Sequence, residues 1–155
     1  MKKLLTLALL LAVSAFAQSP ARGQTAETRQ AKRAAKDNRA TVEKFADLLY
    51  RQKKVAEAFN TYVAKDYVQH SPMLADGTAD VIAVLTPMFE NPQAHFTVRR
   101  LIVDGDYAVL MIHVDTAGRR GAVVDIYRLE GGMIVEHWDV GANFPEHPKS
   151  AHPFF

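Results

Sequence analysis

Large apolar residues recur every three or four positions in the middle of the chain, with charged residues between them. The first such series predicts an amphipathic helix over residues 41–53, because its members share one helical face: Val42, Phe45, Leu48 and Leu49. A second series predicts a helix that ends around Lys65, with these members: Val55, Ala58, Phe59, Tyr62 and Val63. Residues 67–77, which include His70, are predicted to form a loop.

A third apolar series follows this loop, and Asn91-Pro92 is expected to end the helix that it predicts. We expect Thr78 or Asp80 to cap the N-terminus of this helix. Farther along, apolar residues alternate with polar ones, which predicts four strands: residues 95–104, 107–115, 121–129 and 134–140. Short turns are expected to join them, at Asp104-Gly105, Ala117-Gly118-Arg119 and Gly131-Gly132.

Helices followed by hairpin-linked strands predict an α+β domain, with about three N-terminal helices on one face of a curved antiparallel sheet. A strongly bent sheet cannot close completely against helices, so we expect a cone-shaped barrel with an apolar cavity open at one end. Such a cavity is the default ligand site where polar groups converge in it. Residues 41–141 form this domain, and the Pro-rich residues 142–155 are predicted to form an extended C-terminal arm.

The N-terminus has the layout of a secretory signal peptide. Lys2 and Lys3 precede the apolar residues 4–13, and Ala15-Phe16-Ala17 provides a small-x-small cleavage site. The apolar stretch is too short for a membrane anchor, which needs about 20 residues. We therefore expect residues 1–17 to be removed, leaving 155 − 17 = 138 residues as an exported, periplasmic or secreted protein.

The charge balance argues against polyanionic partners. The chain has 19 basic and 17 acidic residues, and loss of Lys2 and Lys3 leaves 17 of each, so no nucleic-acid partner is expected. Residues 18–40 are polar and basic without an apolar face, which predicts a solvated or partly disordered leader and no membrane binding after signal cleavage.

Ionisable and aromatic side chains lie on the last two predicted strands, which are otherwise suited to burial. Asp125 and Tyr127 share one face of the third strand, whereas His137 and Asp139 share one face of the fourth and Trp138 lies on the other. A turn at Gly131-Gly132 can include a bulge, and one extra residue there exchanges the side chains of the fourth strand between the two faces of the sheet. We therefore expect Asp125 and Tyr127 to face the cavity together with either Trp138 or the His137/Asp139 pair.

Several motifs resemble the SnoaL-like branch of the nuclear transport factor 2-like superfamily. They are Tyr-Val-x-x-Asp-Tyr-Val-Gln-His-Ser-Pro over residues 62–72, Asp76-Gly77, Asp104-Gly105-Asp106, Asp-Ile-Tyr-Arg over residues 125–128 and Glu-His-Trp-Asp-Val over residues 136–140. The resemblance extends from about Thr41 to Gly141. It implies a cone-shaped α+β barrel that is often a homodimer, and characterised cyclases of this branch close a ring by cofactor-free aldol condensation with an Asp as acid/base.

Aldol chemistry requires a base beside a carbonyl group and a donor for the enolate oxygen. We expect Asp139 to be the base, with His137 or His70 as donor or orienting group and Asp125 as a further catalytic candidate. The substrate-contacting residues are expected to be Tyr67, His113, Tyr127 and Trp138.

Structural roles are the alternative for these polar residues. Asp139 can instead bind Arg128 or the strand end, Asp125 can pair with Arg128 or Arg100, and His113 can point to either side of its strand.

No metal or cofactor is expected, since the chain has no Cys and no His pair at helical i,i+4 spacing. His137-x-Asp139 places two ligand-type residues on one strand face, which is weak evidence for a metal site. The leading hypothesis is an exported, cofactor-free acid/base enzyme for a small apolar carbonyl compound. A non-catalytic small-ligand-binding module is the second, and a dimeric interaction protein has the least support.

We predict that protein exported by its natural host begins at Gln18, because Ala17 ends the cleavage site. Intact-mass measurement of the exported protein checks this, and detection of a Met1 start there would contradict the signal-peptide assignment.

Overall fold

The computed structural model describes residues 21–116, 119–152 and 154, and the side chains in these ranges except those of residues 21–25 and 119. The predicted signal peptide and the predicted turn at Ala117-Gly118 lie outside the described residues.

The helical layer precedes most of the sheet, as the apolar periodicity predicts. Its elements are α1 (Ala21–Ala46), a π-helical segment (Asp47–Arg51) that continues it directly, α2 (Val55–Tyr62) and α3 (Thr78–Glu90). The leader was predicted to be solvated or partly disordered, and from Ala21 it is a helix continuous with the predicted first helix. Good helix formers explain its conformation, and its missing apolar face explains why residues 26–37 are largely exposed.

Asn38 is where α1 joins the body of the protein. Its side chain is buried, and its Nδ2 atom donates hydrogen bonds to Gly105 O at 3.1 Å and to Asp106 Oδ1 at 3.3 Å. None of the helices within the described ranges is long and apolar enough to cross a membrane.

Five strands form one open sheet over which the helices pack. They are β1 (Val63–Gln69), β2 (Ala94–Asp104), β3 (Tyr107–Thr116), β4 (Arg119–Glu130) and β5 (Met133–Asn143), in the order β1-β5-β4-β3-β2. The chain therefore has the expected α+β cone fold. The sheet is mixed, since β1 pairs parallel with β5 and the other pairs are antiparallel. The last strand extends to Asn143, so the arm leaves the sheet only from Phe144 onward.

β1 is the element that the sequence prediction missed. Residues 63–69 were assigned to the end of a helix and to a loop, whereas they form an edge strand. Only Val63 and Tyr67 are buried in it. Two buried positions four residues apart fit a helix as well as a strand, so the pattern did not identify this strand.

The core fills the space between the helices and the concave face of the sheet. Phe45 of α1 packs edge-on against Phe59 of α2 and Tyr127 of β4, with ring centroids 5.4 Å apart in both pairs. Leu110 and Ile112 of β3 are almost completely buried beneath them. These aromatic contacts join the helical layer to the sheet. The space that remains between the layers, on the side of α3, is a cavity.

Two bulges determine which side chains reach each face. In β5 the ladder passes from Leu129↔Ile134 to Arg128↔Glu136, so Val135 is an extra residue. In β2 it passes from Val98↔Ile112 to Arg100↔Met111, so Arg99 is an extra residue. Each bulge reverses the alternation of the residues after it.

Gly77 begins α3 and ties it to β1. Its backbone has φ 83° and ψ 173°, and its N–H donates to Tyr67 O at 3.0 Å. The predicted capping roles of Thr78 and Asp80 are wrong, because no side chain caps this helix. Asp80 instead accepts a hydrogen bond from Ala75 N–H at 2.9 Å.

We predict that Gly77→Ala lowers the free energy of unfolding by about 1–3 kcal/mol, because this backbone region is accessible almost only to glycine. A Cβ atom there would also lie 3.1 Å from Lys65 O. Gly105→Ala is the matched control: Gly105 has φ 56°, and a Cβ atom there meets nothing within 4 Å. Urea unfolding of both variants tests this, and an equal or larger loss for Gly105→Ala would contradict it.

Candidate functional site

A cavity of about 240 Å³ lies between the helices and the concave face of the sheet. Most of its wall is aliphatic or aromatic, with Phe89 of α3 and Phe96 of β2 stacked at 4.1 Å. The described polar lining residues are Tyr50, Tyr67, Asp125, Tyr127, His137 and Asp139. The cavity is smaller than the roughly 300–1,000 Å³ of sites for drug-sized molecules, so it fits a small apolar compound with few polar groups.

Asp125 is the buried charge at the centre of these polar residues. It comes from β4 and is only 6% exposed. Its Oδ2 atom accepts hydrogen bonds from the phenols of Tyr50 and Tyr127, the latter at 3.1 Å. The alternative of an ion pair with Arg128 or Arg100 is wrong, since Arg128 binds Glu136 and Glu130 instead. Phenol donors therefore supply the hydrogen bonds that a buried carboxylate requires.

The π-helical segment directs Tyr50 into the cavity. Gln52 N–H bonds to Asp47 O at 3.0 Å, a five-residue step that widens the last turn. Leu49 and Tyr50 are both buried, at the i+7 and i+8 positions from Val42 on the apolar face. Tyr50 was not among the residues predicted for this face, and its contact with Asp125 joins residues 75 positions apart in the chain.

His137 stands beside Asp125, with its ring fixed from the other side by Gln69 of β1. Gln69 Oε1 lies 2.9 Å from His137 Nδ1 and also accepts the Ser71 N–H at 2.9 Å. The Gln69 amide nitrogen donates to the Tyr67 hydroxyl at 2.7 Å. The Gln69 side chain is therefore oriented with its nitrogen toward Tyr67 and its oxygen, which can only accept, toward His137. Nδ1 of His137 thus carries the proton in this hydrogen bond.

The other ring nitrogen of His137 is directed toward the carboxylate. Nε2 lies 3.6 Å from Asp125 Oδ1, too far for a hydrogen bond, and this buried atom has no hydrogen-bond partner among the described residues. With Nδ1 already protonated, Nε2 is the nitrogen that can gain or lose a proton. It is thus an unsatisfied group available to a ligand.

Asp139 occupies the rim of the cavity. It lies directly opposite Asp125 in the β4–β5 ladder and is exposed, and it makes no hydrogen bond or ion pair with any described residue. The alternative that it binds Arg128 is therefore wrong. Two carboxylates opposite each other on adjacent strands repel, so the arrangement does not serve stability.

Burial is the main cause that raises the pKa of Tyr50 and Tyr127 well above the ordinary value, and the neighbouring Asp125 carboxylate adds to it. Burial likewise raises the pKa of Tyr67. All three phenols are therefore proton donors across the neutral pH range.

Of the residues predicted to contact substrate or take part in catalysis, the structure brings Asp125, His137, Asp139, Tyr67 and Tyr127 together at the cavity. The Val135 bulge resolves the register that the sequence left open, because it places His137 and Asp139 on the concave face with Asp125. Gln69 was quoted in a motif but not recognised as a partner of His137, since its strand was not predicted.

The cavity-facing assignment of Trp138 and the assignment of His70 as a catalytic donor or orienting group are wrong. Trp138 alternates with His137 and so lies on the outer face, where His70 stacks on it with centroids 4.6 Å apart. His70 follows the inward-facing Gln69, and its Nε2 atom donates to Glu136 at 2.9 Å. Hydrogen bonds from Arg128 and His70 lower the pKa of Glu136.

The prediction that His113 contacts substrate in the cavity between helices and sheet is also wrong. It alternates with the buried Ile112 of β3 and faces outward, where its ring stacks on Phe144 at 5.6 Å. Within the described ranges, no three His, Asp or Glu side chains cluster closely enough to hold a metal ion.

Comparison with known proteins identifies the domain. The sequence profile of the SnoaL-like domain matches residues 42–137. No curated protein matches the chain significantly in sequence.

Solved structures of low sequence identity share the fold. A nuclear transport factor 2-like protein of unknown function from Mesorhizobium loti is 19% identical, with a TM-score of 0.60 over 72% of this chain and 93% of its own. A steroid delta-isomerase from Pseudomonas aeruginosa is 20% identical, with a TM-score of 0.57 over 68% and 80% of the two chains. A candidate polyketide cyclase from Acidithiobacillus ferrooxidans is 16% identical, with a TM-score of 0.50 over 68% and 87%.

We predict that the free energy of unfolding falls above pH 10, because unfolded tyrosines release protons there while the folded chain, with its raised tyrosine pKa values, retains them. In Tyr127→Phe this fall should be shallower by about 1.4 kcal/mol per pH unit. Urea unfolding from pH 8 to 12 measures both slopes, and identical slopes would contradict the assignment.

Proposed function

This chain belongs to the SnoaL-like domain family, and from that premise we propose that it is a cofactor-free acid/base enzyme acting on a small apolar carbonyl compound. The reaction is proton transfer next to the carbonyl group, leading to aldol-type ring closure or isomerisation. The observation that carries the proposal is that Asp139 and His137 Nε2, neither of which bonds to any described residue, lie on one face of an apolar cavity.

Asp139 is the proposed base. One of its carboxylate oxygens takes a proton from the carbon beside the carbonyl group, and the C–H electron pair moves into the enolate. A substrate that covers Asp139 removes water from a carboxylate that no described residue binds. The same oxygen can return the proton to another carbon, which completes an isomerisation without net change in protons.

His137 is the proposed donor to the enolate oxygen. In its doubly protonated form, Nε2–H provides a charged hydrogen bond where negative charge develops. The Asp125 carboxylate lies 3.6 Å from this nitrogen, on the side away from Gln69. In a ring closure the enolate carbon attacks the second carbonyl carbon, and the new alkoxide takes the Nε2 proton.

Asp125, Tyr50, Tyr127 and Gln69 are proposed as positioning residues. The two phenols hold the Asp125 carboxylate, and Gln69 holds Nδ1 of His137, so the imidazole is oriented before substrate binds. None of these four has to exchange a proton with the substrate.

Cavity size and fold relatives agree with this proposal. The volume of about 240 Å³ equals roughly eight water molecules of ~30 Å³ each, which limits the enclosed part of a substrate to about one ring. Two structural neighbours carry the names of an isomerase and a candidate polyketide cyclase, in line with carbonyl chemistry in such a cone.

The mature chain is further proposed to act outside the cytoplasm as a homodimer. Support comes from the signal-peptide layout of residues 1–17 and from the frequency of homodimers implied by the family resemblance.

A non-catalytic ligand-binding module is the second candidate. Most polar groups of the cavity already bind one another, as Tyr50, Tyr127 and Asp125 do. A cavity whose polar groups are satisfied in this way can enclose an apolar ligand without reacting with it.

We predict that Asp139→Asn slows α-proton exchange of small ketones by about 10²–10⁴-fold, because the variant lacks the base. Exchange of cyclohexanone and acetophenone in D₂O, followed by proton NMR, measures this. The free energy of unfolding should change by less than about 0.5 kcal/mol, since no described residue bonds to Asp139.

Asp104→Asn, at the exposed β2–β3 turn, is the matched control and should exchange at the wild-type rate. Equal rates in wild type and Asp139→Asn would remove Asp139 from the mechanism. If both ketones shift the NMR signals of His137 without any exchange, the binding-module candidate replaces the enzyme.

A further inference from the structure

A second cavity lies on the outer face of the sheet, beneath the C-terminal arm. Its volume is about 540 Å³, within the roughly 300–1,000 Å³ typical of small-molecule sites. It is separated from the cone cavity by the sheet itself, because its strand residues alternate with those that face the cone.

The arm forms one wall of this cavity and is attached to the sheet at its base. Phe144 N–H donates to Arg120 O at 2.8 Å, and the Phe144 ring stacks on His113 with a 7° angle between planes. Phe154 packs on Phe144 at 5.0 Å, and Pro145 and Pro148 also line the space. The wall is therefore largely aromatic and aliphatic.

Three exposed cations line the same space: Arg99, Arg120 and Lys149. None of their side chains makes a hydrogen bond or ion pair with any described residue. No carboxylate is among the described lining residues, and Asp115, opposite Arg120 in the ladder, does not line the cavity. Like charges gathered beside apolar walls repel one another, and an anion relieves that repulsion.

The two arginines reach this face through the sheet geometry. Arg99 is the extra residue of the β2 bulge, two positions after Thr97, which pairs with His113. Arg120 is two positions before Ala122, which also pairs with His113. Both arginines are thus diagonal neighbours of His113, one on each of the two strands that flank β3.

We propose that this outer cavity binds a small carboxylate that carries an apolar body. The planar guanidinium fork matches a carboxylate through two parallel hydrogen bonds, and the walls formed by Phe144, Phe154 and the prolines suit a hydrocarbon or aromatic body. The proposal does not depend on the function assigned to the cone. The first cavity, between the helices and the sheet, is lined by two carboxylates, Asp125 and Asp139. It therefore disfavours the anions that the outer cavity favours.

Binding of benzoate to the full mature chain, measured by isothermal titration calorimetry, tests the proposal. Benzamide, which has the same shape without the charge, and acetate, which lacks the apolar body, should each bind at least about tenfold more weakly. Equal affinity for benzoate and benzamide would contradict the role of the cations, and equal affinity for acetate would contradict the role of the apolar wall.

Arg99→Gln and Arg120→Gln should each weaken benzoate binding about tenfold. Arg100→Gln is the matched control, since Arg100 is exposed at the same bulge but does not line the cavity. Thermal unfolding of each variant confirms that it is folded. Unchanged affinity in both lining variants, or an equal loss in Arg100→Gln, would overturn the proposal.

Discussion

A negative charge buried against apolar walls is the constraint on which the rest of this structure depends. Asp125 is stable in that position because phenols from two directions donate to one of its oxygens while an imidazole faces the other. Tyr50 comes from the helical layer and Tyr127 and His137 from the sheet, so the carboxylate is satisfied only when both layers meet. The packing of Phe45 against Phe59 and Tyr127 fixes the distance between those layers. The widened turn at Asp47–Arg51 contributes to the same arrangement, because it carries Tyr50, whose phenol donates to Asp125.

The fold class was readable from the sequence, because long helical and alternating patterns such as those of residues 78–90 and 107–116 are strong and local. The strand Val63–Gln69 was not, because an edge strand beside β5 buries few residues and its partner lies far along the chain. The concave face of β5 was also undetermined, since a single extra residue, Val135, decides whether Trp138 or His137 points inward. Asp125 was thus predicted at the cavity together with one of two alternatives on β5, of which the structure has the His137/Asp139 pair. Tyr50 and Gln69 needed tertiary structure to be found.

The two cavities on opposite faces of the sheet are lined by side chains of opposite charge. The concave cavity presents carboxylates and neutral donors around a small apolar space, whereas the outer cavity is lined by two arginines that pair with no described residue and lie beneath an aromatic arm. This division follows from strand alternation and from the two bulges, which each redirect one or two side chains without altering the fold. A nearly neutral chain can in this way offer two chemically different surfaces to small molecules.

The placement of the first strand beside the last has a consequence for folding kinetics. Gln69 can reach His137 only after about seventy further residues have been synthesised and β5 has joined the sheet, so the site forms late. Before that moment β1 has an unpaired edge, and the Asp125 carboxylate lacks its imidazole neighbour. A chain shortened before β5 would therefore lack the His137 imidazole, the Asp139 carboxylate and the strand that pairs with β1.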